Sequence, residues 1–140
     1  MKLKLYELVD IFDEIQNYEY IVYDKKEDEF IFIDLNIMLF EEYEELTNKI
    51  EEDEEERYYY LPSSYEFLDG ELIEEYIEKI ENKNIQKELE DAFCGKGKYK
   101  RFKEILRKYK IEDNYYNFRS EYFKDMAIEW CKKNNIEYEQ

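Results

Sequence analysis

Residues 18–34 read YEYIVYDKKEDEFIFID, which places two apolar runs on either side of a short polar segment. The runs Tyr18–Asp24 and Glu29–Asp34 are rich in the β-branched and aromatic residues that favour strands. The four polar residues 25–28 between them suit a hairpin connection. The stretch therefore predicts an antiparallel hairpin. Because both of its faces are fairly apolar, we expect helices to cover one side of it.

The segments around the hairpin extend this pattern. Residues 5–16 carry apolar side chains at helical spacing and predict an amphipathic helix. Residues 41–56 hold ten acidic residues, which predicts a weakly anchored helix that runs into a solvated acidic segment. Residues 57–61 read as a third strand that ends at Pro62.

The rest of the chain is predicted to be helical. Ser63 and Glu66 have the spacing of a capping box, which opens a helix that includes Leu68. Further helices are predicted over residues 83–93, 98–109 and 113–134, the last with Asp113 or Asn114 as its N-cap. The predicted fold class is α+β, a small three-stranded antiparallel sheet packed with an N-terminal helix and a C-terminal layer of about four helices. We expect residues 1–140 to form a single domain.

The composition excludes several functions. The chain of 140 residues carries 38 acidic and 21 basic residues, a formal net charge of −17, yet it is 44% apolar and 19% aromatic and can fill a core. It contains no histidine, which removes Ser-His, Cys-His and His-metal mechanisms. Lacking a recognisable cofactor or metal motif as well, it is predicted not to be an enzyme and to need no cofactor or metal.

The sequence also predicts a location. No apolar run reaches the roughly 20 residues that span a bilayer, so no membrane contact is expected. The first five residues are interrupted by charge and do not resemble a signal peptide. The two cysteines, Cys94 and Cys131, are read as reduced core residues, and we therefore expect a cytoplasmic protein.

The charge is unevenly distributed. Residues 1–94 carry a net charge of −21, residues 95–111 carry +7 and residues 112–140 carry −3. Paired glycines and lysines in the positive segment are typical of an anion site. The alternative interpretation is that the basic helix packs beside acidic surface and offsets the repulsion among its carboxylates. The candidate anion-binding residues are Gly95, Lys96, Gly97, Lys98, Lys100 and Arg101.

The tyrosines and carboxylates suggest a binding surface. Sixteen tyrosines cannot all be buried with satisfied hydroxyls, so some of those at 58–60, 115, 116 and 138 should be exposed. Exposed tyrosine among carboxylates is typical of protein interfaces. Trp130 and the Cys94 thiol are read as structural. The candidate partner-binding residues are Glu51, Glu52, Asp53, Glu54, Glu55, Glu56, Tyr58 and Tyr60.

A series of short motifs resembles a known family. They are Leu61-Pro62-Ser63-Ser64, Leu89, Phe93, the run from Gly95 to Lys103, Tyr115-Tyr116 and Ala127-Ile128-Glu129-Trp130. In order and spacing they resemble the bacterial uncharacterised protein family 0158 over about residues 57–138. The resemblance implies a shared scaffold around the Gly95–Phe102 turn and the Trp130 helix, and it implies no activity.

Two functions follow as hypotheses. The first is a non-enzymatic acidic module that docks on a basic surface of a partner protein, with carboxylates standing in for nucleic-acid phosphates. A bacterial or phage origin suits such an inhibitor or regulator. The alternative is binding of a phosphate, nucleotide or nucleic acid through the basic turn Gly95–Lys103.

Overall fold

The computed structural model describes residues 2–64, 66 and 69–140. In this part of the chain the fold is α+β. In chain order, its elements are β1 (Leu3–Lys4), α1 (Leu5–Asp13), a 3-10 turn (Ile15–Asn17), β2 (Tyr20–Asp24), β3 (Glu29–Ile33), α2 (Phe40–Glu51), β4 (Tyr58–Tyr60), α3 (Asp69–Glu78), α4 (Lys83–Ala92), α5 (Lys98–Lys108), α6 (Glu112–Lys133) and β5 (Tyr138–Glu139).

The predicted antiparallel sheet is confirmed. Its strand order is β3-β2-β4, so the first strand of the hairpin is the central strand. Tyr20 pairs with Ile33 at one end of the hairpin, and Val22 pairs with both Ile31 and Tyr60. The N-terminal helix and the four C-terminal helices are also present where the sequence predicted them, to within a few residues at most boundaries.

The chain divides into two compact units, one of residues 1–68 and 124–140 and one of residues 69–123. In the first unit both faces of β2 are covered, whereas the sequence predicted cover on one side. Val22 packs on one face in a cluster with Ile33 and Ile50 of α2. Tyr23 on the other face meets Trp130, which in turn makes an edge contact with Phe12 of α1.

The second unit is built around an aromatic core. The rings of Tyr76, Phe102 and Tyr115 contact one another at centroid distances of 5.1 to 6.3 Å, and Phe93 lies 5.8 Å from Phe102. The hydroxyl of Tyr76 is satisfied because it donates to Asn114 Oδ1 at 2.8 Å. Burial of these rings joins α3, α4, α5 and the first half of α6.

Some helix boundaries differ from the predictions. The contact between Ser63 and Glu66 is present, but α3 begins at Asp69, and Leu68 lies outside the described residues. The predicted N-cap of α6 is wrong, since the helix already begins at Glu112 and Asp113 and Asn114 lie in its first turn. The side chain of Asn114 accepts from a buried tyrosine instead of capping the helix.

The structure also contains a two-stranded parallel sheet that the sequence did not predict. In it, Leu3 pairs with Tyr138 and Lys4 with Glu139. Strands of two residues are too short to show any hydrophobic periodicity, so their pairing depends on the surrounding fold.

Candidate functional site

The acidic loop, defined as residues 51–56, runs from the last residue of α2 toward β4. Five of its six side chains are exposed glutamates, and none of these five carboxylates forms an ion pair or hydrogen bond among the described residues. Their carboxylates are therefore hydrated and available. The sixth residue, Asp53, is half-buried and has a different role.

Asp53 fixes the conformation of the acidic loop. Its carboxylate accepts hydrogen bonds from the backbone N–H groups of Glu55 at 3.0 Å, Arg57 at 2.8 Å and Tyr58 at 3.0 Å. The bond from Tyr58, followed by the other two, lowers the pKa of Asp53. Glu56 adopts a left-handed backbone with φ of 55°. The glutamates are thus displayed on an ordered turn, and Asp53 itself is turned inward.

A buried ion pair anchors the same turn to the sheet. Asp24, 5% exposed, accepts from Arg57 Nε and Nη2, each at 2.8 Å. Asp24 also accepts from the backbone N–H groups of Lys26 and Glu27 in the hairpin loop. The guanidinium of Arg57 holds the pKa of Asp24 below its ordinary value. The pair joins the hairpin turn to the start of β4, and sequence patterns alone did not reveal it.

The two candidate tyrosines of β4 differ. Tyr58 is half-buried, packs against the Val22 cluster and lies under the Arg57 guanidinium at 4.9 Å. Tyr60 is 41% exposed, and its ring makes an edge contact with Tyr20. Burial and then the negative charge of Glu51 raise the pKa of Tyr60. Tyr60 is therefore available to a partner, while Tyr58 mainly supports the sheet.

Tyr60 also borders a cavity of about 440 Å³ in the first unit. Its lining combines aromatic, acidic, basic and amide side chains, and Trp130 donates its indole N–H to the Tyr60 carbonyl at 2.9 Å. The lining residues are Tyr60, Leu61, Pro62, Glu66, Met126, Glu129, Trp130, Lys133 and Asn134. Trp130 is buried, as the sequence predicted. The cavity itself was not foreseen, because its walls come from residues about 70 positions apart.

The basic turn, residues 95–103, is partly committed to internal contacts. Arg101 donates to the carbonyl oxygens of Ala92 at 3.0 Å, Lys96 at 2.6 Å and Cys94, and so satisfies the end of α4. Lys98 lies over the Phe93 ring at 4.6 Å. These two cations are engaged within the second unit.

The remaining candidate residues of the basic turn are open to solvent. The candidates Lys96 and Lys100 are exposed, and so is Lys103, which was not among the candidate residues. None of the three forms an ion pair in the described part of the chain. Gly95 and Gly97 both have positive φ, 68° and 79°, and Gly97 is the N-cap of α5. The glycines are therefore needed for the backbone path.

The two cysteines have different environments. Cys131 is fully buried, and burial raises the pKa of its thiol to about 11. Cys94 is exposed, which corrects the expectation of a core residue, and its Sγ donates to the Glu90 carbonyl at 3.3 Å. It follows the buried Phe93 at the end of α4, where the chain turns outward.

An exposed apolar segment was not foreseen from the sequence. Leu35, Ile37 and Leu39 lie between β3 and α2, Phe40 is the first residue of α2, and all four are exposed. Hydropathy alone gives no sign of this exposure, since the same residue types fill the core elsewhere. Among the tyrosines proposed as exposed, Tyr60 and Tyr116 are exposed and Tyr115 is buried.

Metal sites and membrane spans are absent from residues 2–64, 66 and 69–140. No cluster of three or more carboxylate or thiol residues suited to a metal ion occurs there. Nor does any helix in these ranges have the length and apolar character needed to cross a membrane.

Comparison with known proteins identifies a family. The chain matches the model of the Uncharacterised protein family (UPF0158) over residues 1–140. It belongs to that family. The match extends the resemblance seen over residues 57–138 to the whole chain, so the hairpin and the acidic loop lie within the matched region. No curated protein and no solved structure matches the chain.

Proposed function

We propose that this member of UPF0158 is a non-enzymatic interaction protein whose acidic loop docks on a basic surface of a partner protein. The observation that carries the proposal is the set of five exposed glutamates, unpaired within the described ranges, on a turn fixed by Asp53. Ordering before binding lowers the entropic cost of association. Charge complementarity makes such association fast and sensitive to salt.

The concentration of exposed carboxylates supports a partner that normally binds nucleic acid. Basic surfaces of such proteins are built to neutralise a dense row of phosphates. The acidic loop places five exposed carboxylates within six residues, and the first 94 residues carry a net charge of −21. Tyr60 adds a rigid aromatic side chain near the end of the loop. Both cysteines are free thiols, which is consistent with the cytoplasm as the place of interaction.

Affinity capture with a matched pair of variants tests this proposal. In the loop variant the five exposed glutamates become glutamine and Asp53 is kept. The control variant removes the same number of charges from exposed acids of the second unit. The loop substitutions are E51Q, E52Q, E54Q, E55Q and E56Q, and the control substitutions are E74Q, E78Q, E81Q, E90Q and D91N.

We expect the wild type and the control variant to enrich nucleic-acid-binding proteins from a cell lysate at about 50 mM NaCl and to release them at about 500 mM. The loop variant should lose this enrichment. Equal capture by the loop variant and the wild type would contradict the proposal.

A second candidate function is anion binding by the basic turn. Three exposed lysines with no ion pair in the described residues, Lys96, Lys100 and Lys103, favour it. Arg101 is an unsuitable contact because three backbone carbonyls already occupy its guanidinium. Titration of fluorescent single-stranded RNA and of nucleotides at low salt tests this alternative. Binding that K96A/K100A abolishes and K83A/K87A preserves would favour it, and no binding at high micromolar concentration would exclude it.

A further inference from the structure

The segment from the end of β3 to the first residue of α2 displays apolar side chains in a molecule dominated by charge. Leu35 is 46% exposed, Ile37 83%, Leu39 67% and Phe40 72%. Among the described residues, four of the nine large hydrophobic side chains that are exposed fall within these six positions. Clustered exposure of this kind marks an interaction site more often than scattered surface leucines do. We call residues 35–40 the apolar loop.

The apolar loop is held in place by its own contacts. The Asp34 carbonyl accepts from the backbone N–H groups of Ile37 at 3.2 Å and Met38 at 2.9 Å, and the Asp34 carboxylate accepts from Asn36 at 2.9 Å. Met38 points inward and packs against the Val22 cluster. The outward direction of Ile37 and Phe40 therefore follows from an ordered turn whose inner side is already occupied.

Negative charge borders the apolar loop. Glu41, Glu42, Glu44 and Glu45 follow it directly and are exposed. Between Lys26 and Lys49 the chain contains no basic residue. Residues 41 and 45 of α2 and its C-cap residue Glu52 fall on one face, because offsets of 4 and 11 residues return to nearly the same direction on a helix. This acidic stripe runs from the apolar loop to the acidic loop.

We propose that the apolar loop is the anchor of the partner interface, and that its partner is a protein segment in which apolar residues alternate with lysines and arginines, as in a basic amphipathic helix. This inference rests on the proposed function and adds the apolar half of the interface to it. Apolar contacts at the centre of a charged border match the usual anatomy of protein interfaces.

Charge argues against the other occupants. A second copy of the chain would bring its own Glu41, Glu42, Glu44 and Glu45 against the same four residues, and like charges oppose each other. An anionic lipid surface would repel the same border. A basic segment with apolar residues is complementary both to the apolar loop and to its acidic border.

Two synthetic peptides of about 15 residues serve as probes, one of leucine and lysine that forms an amphipathic helix and one of serine and lysine with equal charge. The variant I37S/F40S removes two exposed side chains, and Y6S/Y116S is the control because both tyrosines are exposed elsewhere in the chain. The single variant I37S serves as a second, milder test. Circular dichroism and thermal melting establish that each variant is folded.

We expect wild type and Y6S/Y116S to bind the leucine-lysine peptide about tenfold more tightly than the serine-lysine peptide at low salt. I37S/F40S should bind the two peptides with similar affinity, and I37S should bind the leucine-lysine peptide about threefold more weakly than wild type. Equal affinity for the two peptides, or no effect of I37S/F40S, would overturn the inference while the charge-based function stands. Failure of both peptides to bind would count against the proposed function itself.

Two further measurements address the other occupants. Sedimentation of the wild type should give a monomer, and a dimer that I37S/F40S abolishes would assign the apolar loop to self-association and overturn the inference. Vesicles of phosphatidylcholine with phosphatidylglycerol should not bind, and binding that I37S/F40S removes would assign the loop to lipid and overturn it as well.

Discussion

At the scale of single residues, buried Asp24 and its partner Arg57 anchor the acidic loop to the sheet. Two parallel hydrogen bonds of 2.8 Å join side chains 33 positions apart. The same carboxylate also satisfies two N–H groups of the hairpin loop. Loss of this one group therefore loosens both the hairpin turn and the start of β4. Asp53 stabilises the acidic loop locally, by accepting three backbone hydrogen bonds within its own turn.

The variant D24N should destabilise the protein by about 2 kcal/mol at pH 7, because one partner of a mostly buried ion pair is lost while Arg57 keeps partial access to water. Urea denaturation measures this change in the free energy of unfolding. D10N is the control, since Asp10 is exposed on α1, and it should change stability by less than about 0.5 kcal/mol.

The stability difference between wild type and D24N should depend on pH. Because Arg57 lowers the pKa of Asp24 below its ordinary value of 3.8, the ionised carboxylate stabilises the fold above that pH. This contribution is lost as the pH falls through the lowered pKa. The two proteins should therefore converge in stability on acidification below about pH 4. A difference that stayed constant down to pH 2 would contradict the assigned role of the charge.

At the scale of elements, the connection between α4 and α5 shows how backbone geometry limits the sequence. Arg101, from the first turn of α5, supplies donors to the carbonyls that the end of α4 leaves unpaired. Gly97 stands at φ of 79°, and a Cβ there would lie 3.1 Å from Arg101 Nη1. Gly70, in the first turn of α3, has ordinary helical geometry. A Cβ added there would meet only the Tyr99 hydroxyl, at 3.8 Å.

Alanine substitutions at the three glycines should therefore change stability in different directions. G97A should destabilise by about 1–2 kcal/mol, since it combines a left-handed backbone with a tight contact to Arg101. G95A should cost about 1 kcal/mol, because φ is 68° but no atom lies within 4 Å. G70A should stabilise by about 0.5 kcal/mol through helix propensity. Chemical denaturation of the three variants checks the order, and a stabilising G97A would contradict the role assigned to this turn.

At the scale of the whole molecule, the net charge of −17 affects both the stability of the fold and its attraction for partners. The compact state brings like charges together, which destabilises it, while the same field attracts cationic partners. The ion pairs Lys79–Glu75 and Lys108–Glu88 are exposed and contribute little to the fold. Repulsion is therefore expected to exceed surface attraction at low ionic strength.

Raising NaCl from about 10 mM to about 200 mM should raise the melting temperature of the wild type by a few degrees, because salt screens this repulsion. The loop variant with five glutamines should melt higher at low salt and respond less to salt. Differential scanning calorimetry measures both effects. A melting temperature that falls with salt would mean that attractive pairs dominate. That result would also weaken the argument for a strong field around the acidic loop.

Local patterns in the chain were sufficient for most of the secondary structure. The hairpin, α1, α4 and α5 follow from alternation or helical spacing that each segment carries by itself. The excess of carboxylates and the absence of histidine are likewise properties of composition. The absence of histidine alone excluded Ser-His, Cys-His and His-metal mechanisms. Helix ends were less predictable, as at α6, where a buried tyrosine takes the side chain proposed as the cap.

Tertiary contacts decided which candidate residues are available to a ligand. The sequence presents Arg101 as one more cation and Asp24 as one more carboxylate. In the fold, backbone carbonyls five to nine residues away occupy the Arg101 guanidinium, and Arg57, 33 residues away, pairs with Asp24. Two isoleucines of equal hydropathy differ in exposure: Ile33 lies in β3 and is buried against Val22, whereas Ile37 follows the turn at Asp34 and is exposed. Composition and spacing therefore determined the elements and the charge. Exposure and pairing depend on contacts in the folded chain, both near and distant in sequence, which hydropathy and spacing do not encode.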